Sequence, residues 1–264
     1  MKISIITASF NRVDMIQKCL QSISTQSFRN IEHIVIDGGS SDGTLEFLRQ
    51  SIDRIHFLLS EPDKGIYDAL NKGIKMATGD IIGLLHSDDI YADENVISEV
   101  NSFFELNPTI DIVIGNVSYF NQINKGSPTR QYNSNIFKPW MLRFGFIPAH
   151  TATFIRREVF SRYGFYRTDL MGAGDFEFFV RLFMVHSVSL AFLGRTLVHM
   201  RNGGVSNIGL KSQLRNSQEI FYSLKINEVY SNWVFILLRL PIKVIWITFY
   251  RLRMFLFRGN IFGD

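Results

Sequence analysis

The chain has 264 residues, 46% hydrophobic and 20% charged: enough apolar material for a sizeable core, and a composition that excludes a disordered chain. Its one cysteine, Cys19, excludes an internal disulfide framework and fits a reducing compartment. The net charge of +4 is uneven, because residues 211–264 hold eight Lys/Arg against three acids while residues 1–210 hold 20 against 21. That balance points to an anionic surface met by the tail alone, with no nucleic acid partner expected.

The opening MKISIITASFNR has one basic residue and an apolar run too short for a signal peptide, so residues 3–8 are expected to form a first buried strand. Ile16, Leu20 and Ile23 then repeat at helical spacing, with Cys19 as buried filler on the same helix. Residues 31–39 read as a second strand ending in a Gly-rich turn, 42–50 as a helix and 55–60 as a third strand. In 65–77 apolar residues recur at 66, 70, 74 and 77; a fourth strand (80–85), an amphipathic helix (92–107) and a fifth strand (110–116) follow. This alternation predicts an α/β fold with a mainly parallel, twisted sheet and helices on both faces. Residues 117–149 read mostly as loop, 150–166 as a strand feeding a short helix, 172–187 as a helix, and VSLAFL with TLVHMRNGGVS as a closing hairpin.

Polar clusters follow three strands: DGGSSDG, EPDKG and HSDD. In open α/β sheets ligands bind beyond the carboxyl ends of the strands, so these clusters are expected to converge on one site. Gly38 through Thr44 has phosphate-loop spacing without the required Lys, and no G-x-G-x-x-G follows the first strand. Asp42 reads as a helix cap, whereas Asp37 ends a strand, where a carboxylate can accept from a base or a ribose. In the next cluster Glu61, Asp63, Lys64, Asp68 and Asn71 lie close in sequence. Asp68, Asn71 and Lys72 share a helix face; Lys72 and Lys75 are expected to be solvated, and Lys64 at the helix start is placed to meet a phosphate. Asp88 and Asp89 repel each other unless a cation lies between them or they solvate a loop; Asp93 and Glu94 suit a helix first turn. Three acidic clusters at one edge favour a divalent cation shared with a diphosphate.

SIITASFNR, IEHIVIDGGSSDGT, SEPDKGIYDALNKGI and ATGDIIGLLHSDD, in that order, resemble the successive motifs of family 2 glycosyltransferases, inverting nucleotide-sugar enzymes of GT-A fold. The resemblance covers residues 1–205 and is nearest to enzymes of bacterial O-antigen and exopolysaccharide assembly. It implies that Thr7, Ser9 and Asp37 meet the nucleotide base and ribose. By the same resemblance Asp63 and the helix start from Gly65 to Asn71 position the nucleotide and diphosphate, and Asp88 and Asp89 form the metal-binding DXD region for Mn²⁺ or Mg²⁺. Two positions depart from the pattern: His86 stands where many members have Asp, and Leu70 where many have Arg, with Lys64 as a substitute charge. Single displacement needs a base for the acceptor hydroxyl; Asp175, behind Gly172 and Gly174, is the candidate, with helix capping as its other reading and Glu177 in reserve. His199 is a candidate metal ligand or a structural histidine; His150 lines the acceptor site or packs.

The resemblance further implies a UDP-sugar donor and a polyprenyl-diphosphate-linked saccharide acceptor. On an ideal helix Arg239, Lys243, Arg251, Arg253 and Arg258 fall within an arc of roughly 160°, opposite Trp, Phe, Leu and Ile. Pro241 is expected to kink or split that helix, and no uncharged span is long enough to cross a bilayer. The tail therefore reads as a peripheral contact with the inner face of the cytoplasmic membrane, or as a helix packed on its own domain or in a dimer. The expected organisation is a nucleotide-sugar-binding half (1–116), an acceptor-binding half of the same GT-A domain (117–208) and a helical tail (209–264). Three rivals remain: a catalytically inactive nucleotide-sugar-binding scaffold subunit, a sugar-1-phosphate nucleotidyltransferase, and a nicotinamide-dependent oxidoreductase, the last disfavoured by the missing glycine fingerprint.

Overall fold

The computed structural model describes residues 1–121, 128–202 and 210–258. Four strands follow the expected alternation: β1 (Ile3–Ser9), β2 (Ile31–Asp37), β3 (Phe57–Ser60) and β4 (Ile81–Leu84), connected through helices α1 (Val13–Ser24), α2 (Thr44–Gln50) and α3 (Ile66–Met76). They pair in parallel in the order β3-β2-β1-β4. A two-residue strand β5 (Ile90–Tyr91) and helix α4 (Val96–Leu106) come next. The second half supplies β6 (Ile112–Phe120), β7 (Arg130–Tyr132), β8 (Thr153–Arg156), α5 (Arg157–Tyr163), α6 (Gly174–Val180) and β9 (Leu190–Arg201).

Beyond β4 the sheet becomes mixed. β8 pairs antiparallel with both β4 and β6, β9 runs parallel to β6, and β5 returns antiparallel to β9 at the far end. The loop between β4 and β5, which holds Asp88 and Asp89, runs from the middle of the sheet to its β5 end. The expected division at 116 falls inside β6, and the one at 208 lies outside the described residues.

Side-chain alternation divides the core into two layers. Ile3, Ile5 and Val35 face α1 and α4 through Ile16, Leu20 and Val100. Ile6, Ala8, Ile34 and Ile36 face α3 and α6 through Leu70, Ile74, Phe176 and Phe179. Helices therefore cover both faces, as the uninterrupted apolar runs require.

Two sequence expectations change. Residues 190–201 form one strand, not a hairpin, and the remainder of the expected hairpin beyond residue 202 lies outside the described residues. The polar Gly194-Arg195 step is absorbed where the register against β6 shifts between Ile114 and Asn116, because a bulge accommodates extra residues without turning the chain. At the C-terminus, α7 (Leu210–Ile226) is followed by α8 (Trp233–Arg258), which continues through Pro241 as one helix. Pro241 is exposed, so the carbonyl it frees one turn earlier is hydrated. Arg239 leaves the expected basic arc: it is 4% exposed and donates to Ser217 Oγ at 2.9 Å, beside Gly145. Val234, Leu237, Leu238, Ile242, Val244 and Ile245 of α8 are exposed.

Candidate active site

The carboxyl ends of β1, β2 and β3 lie in register, Ser9 beside Asp37 and Asp37 beside Ser60. Asp37 is fully buried and both its oxygens are taken by the protein: Oδ2 accepts from Ser60 Oγ (2.7 Å), Ser40 N (3.0 Å) and Gly39 N (3.2 Å), and Oδ1 from Ser40 Oγ (2.5 Å). These bonds build the turn at the rim. Thr7 is likewise buried beneath the rim, its hydroxyl 3.0 Å from His33 Nε2. Asn71, expected to help position the nucleotide diphosphate, donates to Tyr166 O (2.8 Å) and accepts from Tyr166 N (3.0 Å). These three residues support the site from inside. Ser9 differs, because its hydroxyl is buried at the rim with no hydrogen-bond partner among the described residues.

Asp63 joins the rim. Its Oδ1 accepts from Gly65 N at 2.8 Å, and its Oδ2 lies where a Cβ on Gly38 would come within 2.5 Å. Asp68 accepts from Lys64 N at 3.1 Å, which, ahead of the Lys72 charge, lowers its pKa. The side chain of Lys64 is exposed at the helix entrance. Lys72 is not simply solvated but pairs with Glu61 (2.8 Å) and Asp68 (3.4 Å). Lys75 lies 5.5 Å over the Phe165 ring. Asp42 is not the cap: Gly43 is the N-cap of α2, and Asp42, one residue earlier, closes the turn before it by accepting from Thr44 N (3.0 Å), Thr44 Oγ1 (2.5 Å) and Val13 N (3.1 Å).

After β4 the chain turns tightly, Asp89 N donating to His86 O at 3.0 Å. Asp88 is partly exposed, 3.9 Å from Arg12 Nε. Asp89 is 1% exposed, and its Oδ2 has no partner among the described residues. Burial first, and then the charge of Asp88, holds its carboxyl well above the usual carboxylate range. His199 stands opposite Ile90 in the β5–β9 pairing, with Nδ1 buried and without a partner among the described residues and its ring edge-on to Phe120 at 4.9 Å. The described residues contain no group of three or more His, Cys, Asp or Glu able to enclose a metal ion alone. The Asp89 carboxylate oxygen without a partner among the described residues and its neighbour Asp88 fit an oxygen-seeking divalent cation whose remaining ligands are substrate oxygens, and His199 does not join them in a three-ligand group. The second acidic pair needs no cation. Asp93 and Glu94 precede the N-cap of α4, Asn95, instead of lying in its first turn; Asp93 accepts from Asn95 N (2.9 Å) and is paired with Arg195, which also binds Glu99, while Glu94 is exposed.

Asp175 sits in the first turn of α6. Its Oδ1 accepts from Phe176 N (2.8 Å) and from the Tyr67 hydroxyl (3.0 Å), leaving Oδ2 without a hydrogen bond among the described residues. Burial raises its pKa, a shift that suits a base working near neutrality. The preceding loop is pinned by Glu219 of α7, which accepts from Gly172 N (2.7 Å) and Ala173 N (3.0 Å). Glu177, the reserve base, is buried in a fork with Arg181 (2.8 and 3.0 Å) and serves packing.

His86 links the acid pair to the base. Burial, then the neighbouring His150, pushes its pKa down to about 4, against opposing pulls from the charges of Asp88 and Asp175. The His86 and His150 rings lie 6.1 Å apart, and His150 Nε2 is 2.9 Å from the Tyr166 hydroxyl. Burial pushes His150 down to about 4 as well, so both imidazoles are neutral at pH 7. Sequence reasoning missed Arg12, Tyr67, Tyr166 and Glu219. Only Tyr67 left a trace there, as an aromatic hydroxyl just inside the helix that follows the EPDKG turn.

The model of glycosyl transferase family 2 matches residues 4–164. An uncharacterized glycosyltransferase of Mycobacterium tuberculosis, Rv1514c, is 43% identical over 98 residues, a match covering only 37% of each chain. The PGL/p-HBAD biosynthesis glycosyltransferase Rv2957 of the same organism is 26% identical over 77% of this chain and 78% of its own length. Among solved structures, Staphylococcus aureus TarS 1–349 in complex with UDP-GlcNAc superposes with a TM-score of 0.66 at 15% identity, over 85% of this chain and 66% of that one. The Pyrobaculum calidifontis mannosyltransferase PcManGT, in complex with GDP-Man and Mn²⁺, gives 0.61 at 18% identity, over 85% and 63%. These structural likenesses establish the GT-A fold. The family match, over more than half the sequence and across the rim just described, makes this chain a member of glycosyl transferase family 2.

Proposed function

We propose that this protein is an inverting hexosyltransferase that moves a sugar from a UDP-sugar to a lipid-linked saccharide, polyprenyl-diphosphate-borne, in surface polysaccharide (O-antigen or exopolysaccharide) assembly. The observation that carries the reading is one continuous cluster: Asp88 and Asp89, then His86, then Asp175 with one free carboxylate oxygen. Its two ends match the two needs of the reaction, a cation site for the leaving diphosphate and a base for the incoming hydroxyl. TarS with UDP-GlcNAc and PcManGT with GDP-Man and Mn²⁺ support a nucleotide-sugar donor and a divalent metal on the same fold.

In this reading Asp89 and Asp88 hold Mn²⁺ or Mg²⁺. When bound, the ion neutralises charge developing on the departing diphosphate. Lys64 supplies a second positive charge at the rim, and the free Ser9 hydroxyl meets the nucleotide. Asp63 keeps the entrance of α3 closed against Gly38. The acceptor hydroxyl attacks the anomeric carbon as Asp175 Oδ2 takes its proton, and the bond to the diphosphate breaks on the opposite face, so the configuration inverts.

The C-terminal helices suit a lipid-borne acceptor. No helix among the described residues is long and apolar enough to cross a membrane. The first half of α8 exposes Val234, Leu237, Leu238, Ile242, Val244 and Ile245, and Trp140, 59% exposed, stands beside it on a 3-10 turn (Pro139–Phe144) that packs on α8 through Phe144 and Phe235 at 4.5 Å. Those exposed apolar residues, on a segment of net charge +5, suit the surface of an anionic bilayer on the cytoplasmic side.

A donor panel tests the reading: purified protein, Mn²⁺, each nucleotide sugar in turn, and release of nucleoside diphosphate with and without EDTA. One UDP-sugar should be turned over, and chelation should abolish turnover. Asp175→Asn should lower transfer by about 10²–10⁴-fold while leaving UDP-sugar affinity unchanged. Turnover indifferent to EDTA would remove the metal role of Asp88 and Asp89. Full function of Asp89→Asn and Asp175→Asn proteins in cells would favour the scaffold reading.

A further inference from the structure

Tyr67 belongs to α3, on the donor side of the sheet, yet its hydroxyl reaches across 108 residues of sequence to Asp175 Oδ1 at 3.0 Å. The ring is buried and has no room to swing. It stacks on Tyr166 with centroids 5.8 Å apart, and a Cβ on Gly174 would come within 2.7–2.9 Å of its carbons. Oδ1 therefore receives two fixed donors, Tyr67 and Phe176 N, and Oδ2 none. A carboxylate oxygen that already accepts two hydrogen bonds is the poorer proton acceptor of the pair, so the asymmetry selects Oδ2.

We propose that Tyr67 is the positioning residue of the base: its hydroxyl locks the Asp175 carboxylate so that Oδ2 alone faces the acceptor hydroxyl. The inference rests on Asp175 being the base. Tyr67 acts through Asp175, and because it rides on α3 it ties the base to the helix whose entrance carries Asp63, Lys64 and Gly65. The other titratable groups around Asp175 are Tyr166, from the segment before α6, and His86, at the end of β4. Neither makes a hydrogen bond to the carboxylate among the described residues.

Tyr67→Phe keeps the ring, the stack on Tyr166 and the contact with Gly174, and deletes one donor. Losing a hydrogen bond to a charged group should lower kcat about 10–100-fold, with the donor KM within about twofold of wild type. Since the deleted donor favours the charged carboxylate, the acid limb of the kcat/KM profile should move to higher pH, by about half a unit to one unit. A wild-type kcat and limb in Tyr67→Phe, beside an inactive Asp175→Asn, would overturn the inference and leave the base in place. A fall in kcat with the limb unmoved, or a melting temperature lower by more than about 10 °C, would assign the hydroxyl to packing and overturn it too. An active Asp175→Asn would instead bring down the base reading itself.

Discussion

Replacing Asp89 by Asn should make the metal-free protein more stable while taking away its response to metal. Asp89 is 1% exposed, its Oδ2 has no partner among the described residues, and its carboxyl is held well above the usual range by burial and then by Asp88. A buried polar oxygen left unpaired costs about 1–3 kcal/mol. Asn removes the charge and the repulsion from Asp88 but leaves an amide to bury, so a gain of about 1–2 kcal/mol is expected. At about 2–4 °C per kcal/mol for a chain of this size, the metal-free melting temperature should rise by roughly 3–6 °C. In the wild type, Mn²⁺ and UDP at a hundredfold above their dissociation constant should add about 2.7 kcal/mol, or roughly 5–10 °C. In Asp89→Asn that increment should shrink to about 1 °C, with turnover at background. Thermal melts with EDTA, Mn²⁺, UDP and both ligands together measure all of this. A variant that melts below wild type without metal and keeps the Mn²⁺-dependent increment would refute the reasoning, because protein donors would then be satisfying Asp89 and the cation would be bound elsewhere.

Glu32 gives an acid-stability prediction. Burial opposes its ionisation, but bonds from Lys2, Ser4 and Thr78 prevail and pull its pKa down to about 2. A depressed carboxylate contributes stability above its unfolded pKa and loses it as pH falls toward 2. Glu32→Gln should therefore cost about 2 kcal/mol near pH 7, with the gap to wild type closing between about pH 5 and 2 in urea melts. Gly174→Ala would press a methyl into the buried Tyr67 ring, at a cost of about 1–3 kcal/mol and with loss of the Tyr67–Asp175 bond, so its turnover should fall at least as far as that of Tyr67→Phe. A fragment ending at residue 116 cuts β6 and strips β8 from the edge of β4, and circular dichroism should show no cooperative melt for it.

The strands and helices of the first half were legible because burial on both faces leaves continuous apolar runs, and the acidic loops after them lie at one edge in any parallel sheet. What each polar residue does there was less legible. Asp37 and Thr7 stand in motif positions that the family resemblance gives to the nucleotide, yet Asp37 is engaged by Ser40 and Ser60 and Thr7 by His33. A side chain's partner is set by neighbours in space, and for Asn71 that neighbour is 95 residues away. Arg239 illustrates the same point in reverse. An ideal helix puts it among the basic residues, but Gly145 leaves room for its stem and Ser217 takes its guanidinium, so it is buried. Gly194 and Arg195 resemble a turn, and only the bulge against β6 shows that the strand continues.

Tyr67 and Asn71 are four residues apart on α3 and so share a face, and both are bonded to the chain between 166 and 175. From Gly65, which closes the Asp63 turn, to Asn71 the helix rises about 9 Å. Over that length the helix bonds Asp175 through Tyr67 near its start and the Tyr166 backbone through Asn71, so in the proposed reaction it ties the rim where a diphosphate would lie to the carboxylate that would take the acceptor proton. In-line displacement demands such a fixed spacing, since the nucleophile and the leaving oxygen must sit on opposite faces of one carbon with little tolerance. Loops alone would let the spacing drift. Here α3 sets it, Asn71 fastens the far side with two hydrogen bonds, and Tyr67 orients the one group whose angle matters. The acid pair at the end of β4 then needs only to hold the diphosphate against this frame.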